Sequence, residues 1–255
     1  MIELVNIFFT IFCLLIIFNL PFNFSVLKKK FVGLNLTYTD SLLLNIIFIN
    51  NLLLFFSFFQ INLTYLFVFL IFSSITVLVK NYKLNYLLLR KNYIIALVFL
   101  TLIYSMSVAI AKSGYLEWDG LAHWIIKAQV FFNNGKYEDL KNVPFNYYPH
   151  LGPYIWAFFW DNSFLKYEYS GRIFYIFIFL LTIFSMVSRI LIRFNLIEKV
   201  IILLIFTYLA TTFYLFGGYQ EYLIFFCFFC FSYFLVYLNK NNIFYKKNLF
   251  PELIL

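Results

Sequence analysis

Charge is scarce in this chain. Of its 255 residues, 11 are acidic and 19 basic, 12% in all, whereas 64% are hydrophobic and 25% aromatic. Soluble domains carry about twice that share of charge. At a mean hydropathy of +0.88 the apolar surface exceeds what a soluble core of this size can bury. The shortage excludes a water-soluble globular protein and implies a polytopic membrane protein. The net charge of +8 points to topology and not to nucleic acid, because the basic residues fall in small clusters between apolar runs. Cysteine is scarce too: Cys13, Cys227 and Cys230 all lie within apolar runs. That placement excludes a disulfide framework and makes the Cys227-x-x-Cys230 pair a packing feature, not a redox motif. With eight glycines there is no glycine-rich phosphate loop, no nucleotide-binding motif is visible, and no cluster of metal-ligand residues stands out.

What the chain does have is apolar runs of membrane-spanning length, about 20 residues each. They cover about 4–22, two passes within 41–79 around Gln60 and Asn62, 93–111, 172–189, 200–216 and 222–238. Glu3 precedes the first run and Lys28-Lys29-Lys30 follow it, which suits an anchor and not a cleaved signal peptide. Placing the basic clusters at 28–30, 80–91, 189–199 and 240–247 in the cytoplasm puts 60–62, 112–172 and 217–221 outside. The amino terminus is then external and the carboxyl terminus internal. A further span at 151–166 would send Arg189, Arg193 and Lys199 outside. Leu151–Trp160 is therefore expected as a juxtamembrane or half-inserted helix with Trp156 and Trp160 in the headgroup belt. The fold expected is an all-α integral membrane protein of about seven helices, divided as 1–111, 112–172 and 173–255.

The stretch from 113 to 172 holds both histidines, all four tryptophans and six of the 11 acidic residues. Leu121, Trp124, Ile125, Ala128 and Phe132 recur at helical spacing, with Asp119, His123 and Lys127 every fourth residue on another face. Asn133-Asn134-Gly135 should end that helix. Two readings of Asp119 stand side by side: a helix N-cap, with His123 and Lys127 as solvated interfacial residues, or a functional carboxylate. Between Val143 and Pro153 lie three of the five prolines, which stiffen the backbone around His150. Arg172 and Glu221 sit where two later helices begin, on the same expected side. Convergence of these groups would join a proton-accepting carboxylate to cations able to hold a phosphate.

The run Glu117-Trp118-Asp119-Gly120-Leu121-Ala122-His123-Trp124-Ile125-Ile126-Lys127-Ala128, then Asn134-Gly135 and Tyr148-Pro149-His150-Leu151-Gly152-Pro153, resembles the first external loop of GT-C glycosyltransferases. The likeness is nearest to the protein O-mannosyltransferase and lipid A aminoarabinose transferase group. Asp119 matches the catalytic acid of that loop, Tyr148 to Pro153 its proline element, and Arg172 the arginine at which spanning resumes. Gly218-Tyr219-Gln220-Glu221 is similar to the Gly-Tyr-Ala-Asp element of many bacterial members, with Glu221 at the acidic position. The chain departs from the family in having four runs before the acid and three after it, so the resemblance implies a fragment or a truncated relative.

The resemblance implies transfer of a sugar from a polyprenyl-phosphate-linked donor to a lipid, glycan or protein acceptor on the outer side of the cytoplasmic membrane. Asp119 would be the general base, with Glu221 the second acid and Lys127, His123, His150, Tyr148 and Arg172 binding substrate; neither cofactor nor metal is expected. Two other functions fit an apolar chain of this kind: a flippase for lipid-linked glycans, or a non-catalytic membrane subunit. The first would want charges inside the spans, and these spans are nearly free of them.

Overall fold

The computed structural model describes residues 2–19, 38–80, 93–190, 195–212, 217–218 and 220–240, and every regular element among them is helical. Backbone amides in a long apolar run find no water, so they close on themselves as helix. Helices α1 (Ile2–Ile17), α2 (Tyr38–Phe56), α3 (Leu63–Lys80) and α4 (Tyr93–Ser113) precede the polar stretch. Within it come a π-helical turn (Gly120–Trp124), α5 (Ile125–Phe132), a 3-10 helix (Tyr137–Asn142) and α6 (Leu151–Asp161). Helices α7 (Tyr169–Ile190), α8 (Leu196–Thr212) and α9 (Glu221–Lys240) follow. Three of these helices, α3, α4 and α7, are long and apolar enough to cross a membrane. The basic clusters at 28–30, 83–91 and 246–247, on which the expected sidedness leans, lie outside the described residues.

Local signals set the helix starts. Asn62 accepts from the amides of Thr64 and Tyr65, capping α3 after a short turn. Asn195 and Glu198 exchange side chain-to-amide bonds of 2.9 and 2.7 Å, a reciprocal cap for α8. At the end of α5 the left-handed residue is Asn134, at φ 61°, and Gly135 donates back to Val130 O at 2.9 Å.

Helix α7 is the axis of the bundle. Of its window Tyr169–Met186, 89% is buried, against 28% and 22% for the corresponding windows of α3 and α4. Packed around it are α1, α2, α4, α6, α8 and α9. The outer helices turn large apolar side chains outward, among them Phe69 and Phe72 of α3, Ile201 and Ile205 of α8, and Phe228 and Phe231 of α9. Cys227 also faces outward, so of the two cysteines in that motif only Cys230 is a packing residue; all three cysteines are free.

One end of the bundle gathers the polar stretch. Asn6 of α1 donates to Ser170 Oγ at 2.8 Å and accepts from the Leu165 amide at 3.0 Å, fastening the start of α1 to the start of α7. Asn162 reaches Leu63 O at 3.3 Å, and Thr64 donates to Asp161 at 3.2 Å, at the start of α3. At the opposite end, Tyr233 of α9 donates to Asp40 of α2 at 2.7 Å.

Helix α6 departs from expectation. Gly152 through Phe159 are all buried, and Trp156 is 0% exposed, its indole donating to Glu168 O at 3.3 Å. Trp156 is therefore no headgroup anchor. A helix apolar on every side finds its burial inside the bundle, against α2, α3, α5 and α7, and not at an interface that would wet half of it. Trp160 is half-buried and stacks on Phe132 at 4.5 Å between ring centres.

Candidate functional site

The acid-bearing helix opens at Trp118 and Asp119 and passes at once into the π turn, where the Ile125 amide bonds Gly120 O. Asp119 is itself helical, at φ −62° and ψ −39°, and its side chain caps no backbone amide. The capping reading of Asp119 thus lacks the hydrogen bond that defines it. Asp119 Oδ1 stands 3.8 Å from His123 Nε2; the carboxylate side is 37% exposed and the imidazole 6%. The imidazole is edge-on to Phe145 at 3.9 Å and flanked by Trp118 at 5.0 Å and Tyr148 at 5.3 Å.

Lys127 does not continue the line of exposed groups. It is 0% exposed, donates to Tyr148 O at 3.0 Å, and lies 5.5 Å from the ring centres of both Trp124 and Tyr148. Burial without a carboxylate partner lowers its pKa from 10.5 to about 8. The π turn explains the break: one wide turn after Asp119 shifts the register of everything beyond it, and such turns favour functional sites.

The second inter-helix loop docks on the first. Gly217 O accepts from the Glu117 amide at 2.8 Å, and a Cβ at Gly120 would collide with that same carbonyl. Glycine is needed there for close approach. A Cβ at Gly152 would likewise strike Gln220 Oε1. The Tyr175 hydroxyl of α7 lies 2.9 Å from both Gly152 O and Gln220 Oε1, yet it has one proton, and Gln220 Nε2 is buried without a partner. With the Gln220 amide turned over, Nε2 donates to the phenol and the phenol donates to Gly152 O, satisfying all three. Four separated stretches, around 117–120, 149–153, 172–175 and 217–220, are thereby joined.

His150 is a tie in this arrangement. The Ser57 hydroxyl donates to Leu54 O at 2.6 Å, so the 2.8 Å contact with His150 Nε2 is a bond from the imidazole to the serine. Burial, then the nearby Lys127, lowers the His150 pKa. Tyr148 stays 37% exposed above Lys127. Arg172, 1% exposed, donates to Tyr115 O at 2.8 Å and to Glu168 Oε2 at 2.9 Å. Burial pushes the Glu168 carboxyl up, and Arg172 draws it back down. Arg172 lines a cleft of about 340 Å³ with Glu3, Gly114, Tyr167, Glu168 and Tyr169. Asp119 and Glu221 are not among its walls; Glu221 is exposed in the first turn of α9.

The sequence-predicted residues therefore form two groups. Asp119, His123, Lys127, Tyr148 and, by its field on His150, the proline element belong together; Arg172 sits in its own cleft, and Glu221 reaches the first group only through the docking of its loop. Sequence reasoning passed over Glu168, although it stands four residues before Arg172, the spacing of a helical ion pair. Ser57 and Tyr175 carried no signal beyond being polar in apolar surroundings, and Gln220 was marked only as a member of the Gly218–Glu221 element. Among the described residues no group of three or more His, Cys, Asp or Glu side chains is placed to hold a metal ion. No protein-family profile, curated protein or solved structure matches the chain.

Proposed function

We propose that this chain is an inverting GT-C-type glycosyltransferase, with seven membrane-spanning helices and an active loop, 112–172, on the outer side of the cytoplasmic membrane. Asp119 takes the proton of an acceptor hydroxyl as its oxygen attacks the anomeric carbon of a polyprenyl-phosphate-linked sugar. The bond to phosphate breaks on the opposite face, and its electrons leave on the lipid phosphate, which cationic side chains stabilise. The observation that carries this reading is the Asp119 carboxylate: half-exposed, spent on no cap, beside an imidazole, at the point where two inter-helix loops meet. Glu221, exposed at the neighbouring helix start, is the second acid. The acceptor is a lipid, glycan or protein.

Transfer from labelled polyprenyl-phosphate sugars tests it. General-base assistance contributes about 100- to 10,000-fold, so Asp119→Asn should give a stable, correctly inserted protein that binds donor and has lost transfer by that order. Glu117, whose carboxylate accepts from Tyr115 at 3.2 Å, should tolerate Glu117→Gln far better. Retention of transfer by both variants would overturn the mechanism proposed for this loop, and absence of transfer in the wild type would leave a non-catalytic membrane subunit as the reading.

A further inference from the structure

A lysine with no exposed surface is rare unless an acid pairs with it. Lys127 has no carboxylate within ion-pair distance among the described residues; its ammonium spends one of three protons on Tyr148 O and rests against two aromatic faces. His123 is buried beneath the same Tyr148 ring, and its Nδ1 has no partner. Two buried nitrogen groups with unfilled hydrogen-bonding capacity thus share one cover, and His123 Nδ1 donates in the tautomer that carries the ring proton there.

That cover is thin. Residues 144 to 149 are all exposed on their outer side and are bounded by Pro144 and Pro149. Phe145 holds φ at 56°, a left-handed conformation costly for an aromatic residue, of order 1 kcal/mol or more. Its ring is pressed on His123 at 3.9 Å and stacked with Tyr148 at 5.9 Å. The strained backbone is held shut by ring contacts, by the Lys127–Tyr148 bond, by a turn bond from the Tyr148 amide to Phe145 O at 3.1 Å, and by Asn146, which donates to Lys141 O at 3.2 Å.

We propose that residues 143–149 are a strap that lifts to admit an oxyanion, a phosphate or phosphate ester, to Lys127 Nζ and His123 Nδ1. The inference deepens the glycosyl-transfer reading and rests on it only for the source of the anion, since His123 lies one helical turn from Asp119 and Lys127 two. With the strap closed, the cation is shielded from solvent. Lifting exchanges the carbonyl of Tyr148 for ligand oxygens.

Amine labelling of the full chain in detergent, quantified peptide by peptide, tests it without any transfer assay. In the wild type, Lys127 should react about tenfold or more slowly than the exposed Lys141 and Lys166, because only the lifted state reacts. Phe145→Gly keeps the left-handed backbone and removes the covering ring, so it should raise the Lys127 rate about tenfold; Tyr148→Ala is the second variant, and unchanged rates at Lys141 and Lys166 show that each has folded. In the opened variants, inorganic phosphate or a polyprenyl monophosphate in micelles should restore protection against a chloride control. Protection by both marks the phosphate group alone as the ligand, and protection by the lipid alone assigns the anion to a lipid. Fast labelling of wild-type Lys127, no acceleration in either variant, or no protection by either phosphate would each overturn the strap site. Because Asp119→Asn bears on transfer and this labelling does not, failure of one leaves the other standing.

Discussion

At the scale of single residues, the buried charges decide most. Arg172 was read from the sequence as a donor-phosphate group at a helix mouth, but its guanidinium is already engaged by Glu168 and Tyr115 O. Arg172→Ala should therefore cost at most about 3–5 kcal/mol of stability, because it strands Glu168, whose side chain keeps 21% of its surface exposed; the double variant with Glu168→Gln should recover part of that loss in thermal melts. Full stability in Arg172→Ala would mean that the pair contributes nothing. Lys127 gives a pH dependence. Its amine titrates at about 8 when folded, against an ordinary 10.5. Below about pH 8 both states are charged and only the folded one bears the burial cost; between about 8 and 10.5 the unfolded chain binds the extra proton, so this contribution to stability rises with pH. Lys127→Met should melt higher than wild type at pH 7, and the gap should narrow as pH climbs through that window. A gap independent of pH would refute the assignment. The sequence marked both residues as cations but was silent on burial: Tyr148 closes over Lys127 from a stretch with no periodic pattern, and the i, i+4 spacing of Glu168 and Arg172 announces a pair but not its enclosure.

At the scale of elements, helix positions were legible and their surroundings were not. Apolar runs, Asn62 and Asn133-Asn134-Gly135 gave the starts and stops because caps are local chemistry. Helix α6 was misplaced for a readable reason: Leu151–Trp160 is apolar all round, the mark of a buried helix, yet its two tryptophans drew it to the interface. The π turn was invisible, because a regular helical repeat fits Asp119, His123 and Lys127 until one wide turn breaks it. Deleting Ala122 should convert the π turn to α and leave Asp119 and α5 in nearly their present register, because the wide turn holds one residue more than an α turn. The expected result is a folded, inserted protein with normal Lys141 labelling and transfer within about tenfold of wild type; complete loss of transfer would show that the wide turn itself, and not the register it keeps, sets the acid.

At the scale of the molecule, the described residues are helical throughout their regular elements and three of the helices are long and apolar enough to cross a membrane, which follows from the scarcity of charge and the length of the apolar runs. Sidedness rests on basic clusters that mostly lie outside the described residues. Thiols introduced near residues 138 and 219 should react with an impermeant reagent from outside intact cells, and those near 29, 85 and 244 should not; reaction near 85 would invert the topology. The enclosure of α7 carries a consequence for biogenesis. Its window is less apolar than that of α3, at mean hydropathy 1.6 against 2.1, and it carries Ser170, Arg172, Thr182 and Ser185, all buried by neighbouring helices. A segment so furnished is a poor substrate for the translocon taken singly, since an arginine within a span opposes partitioning into lipid. Helices α1, α2 and α4, which pack on α7, leave the ribosome first, so α7 should enter the bilayer as a client of helices already there.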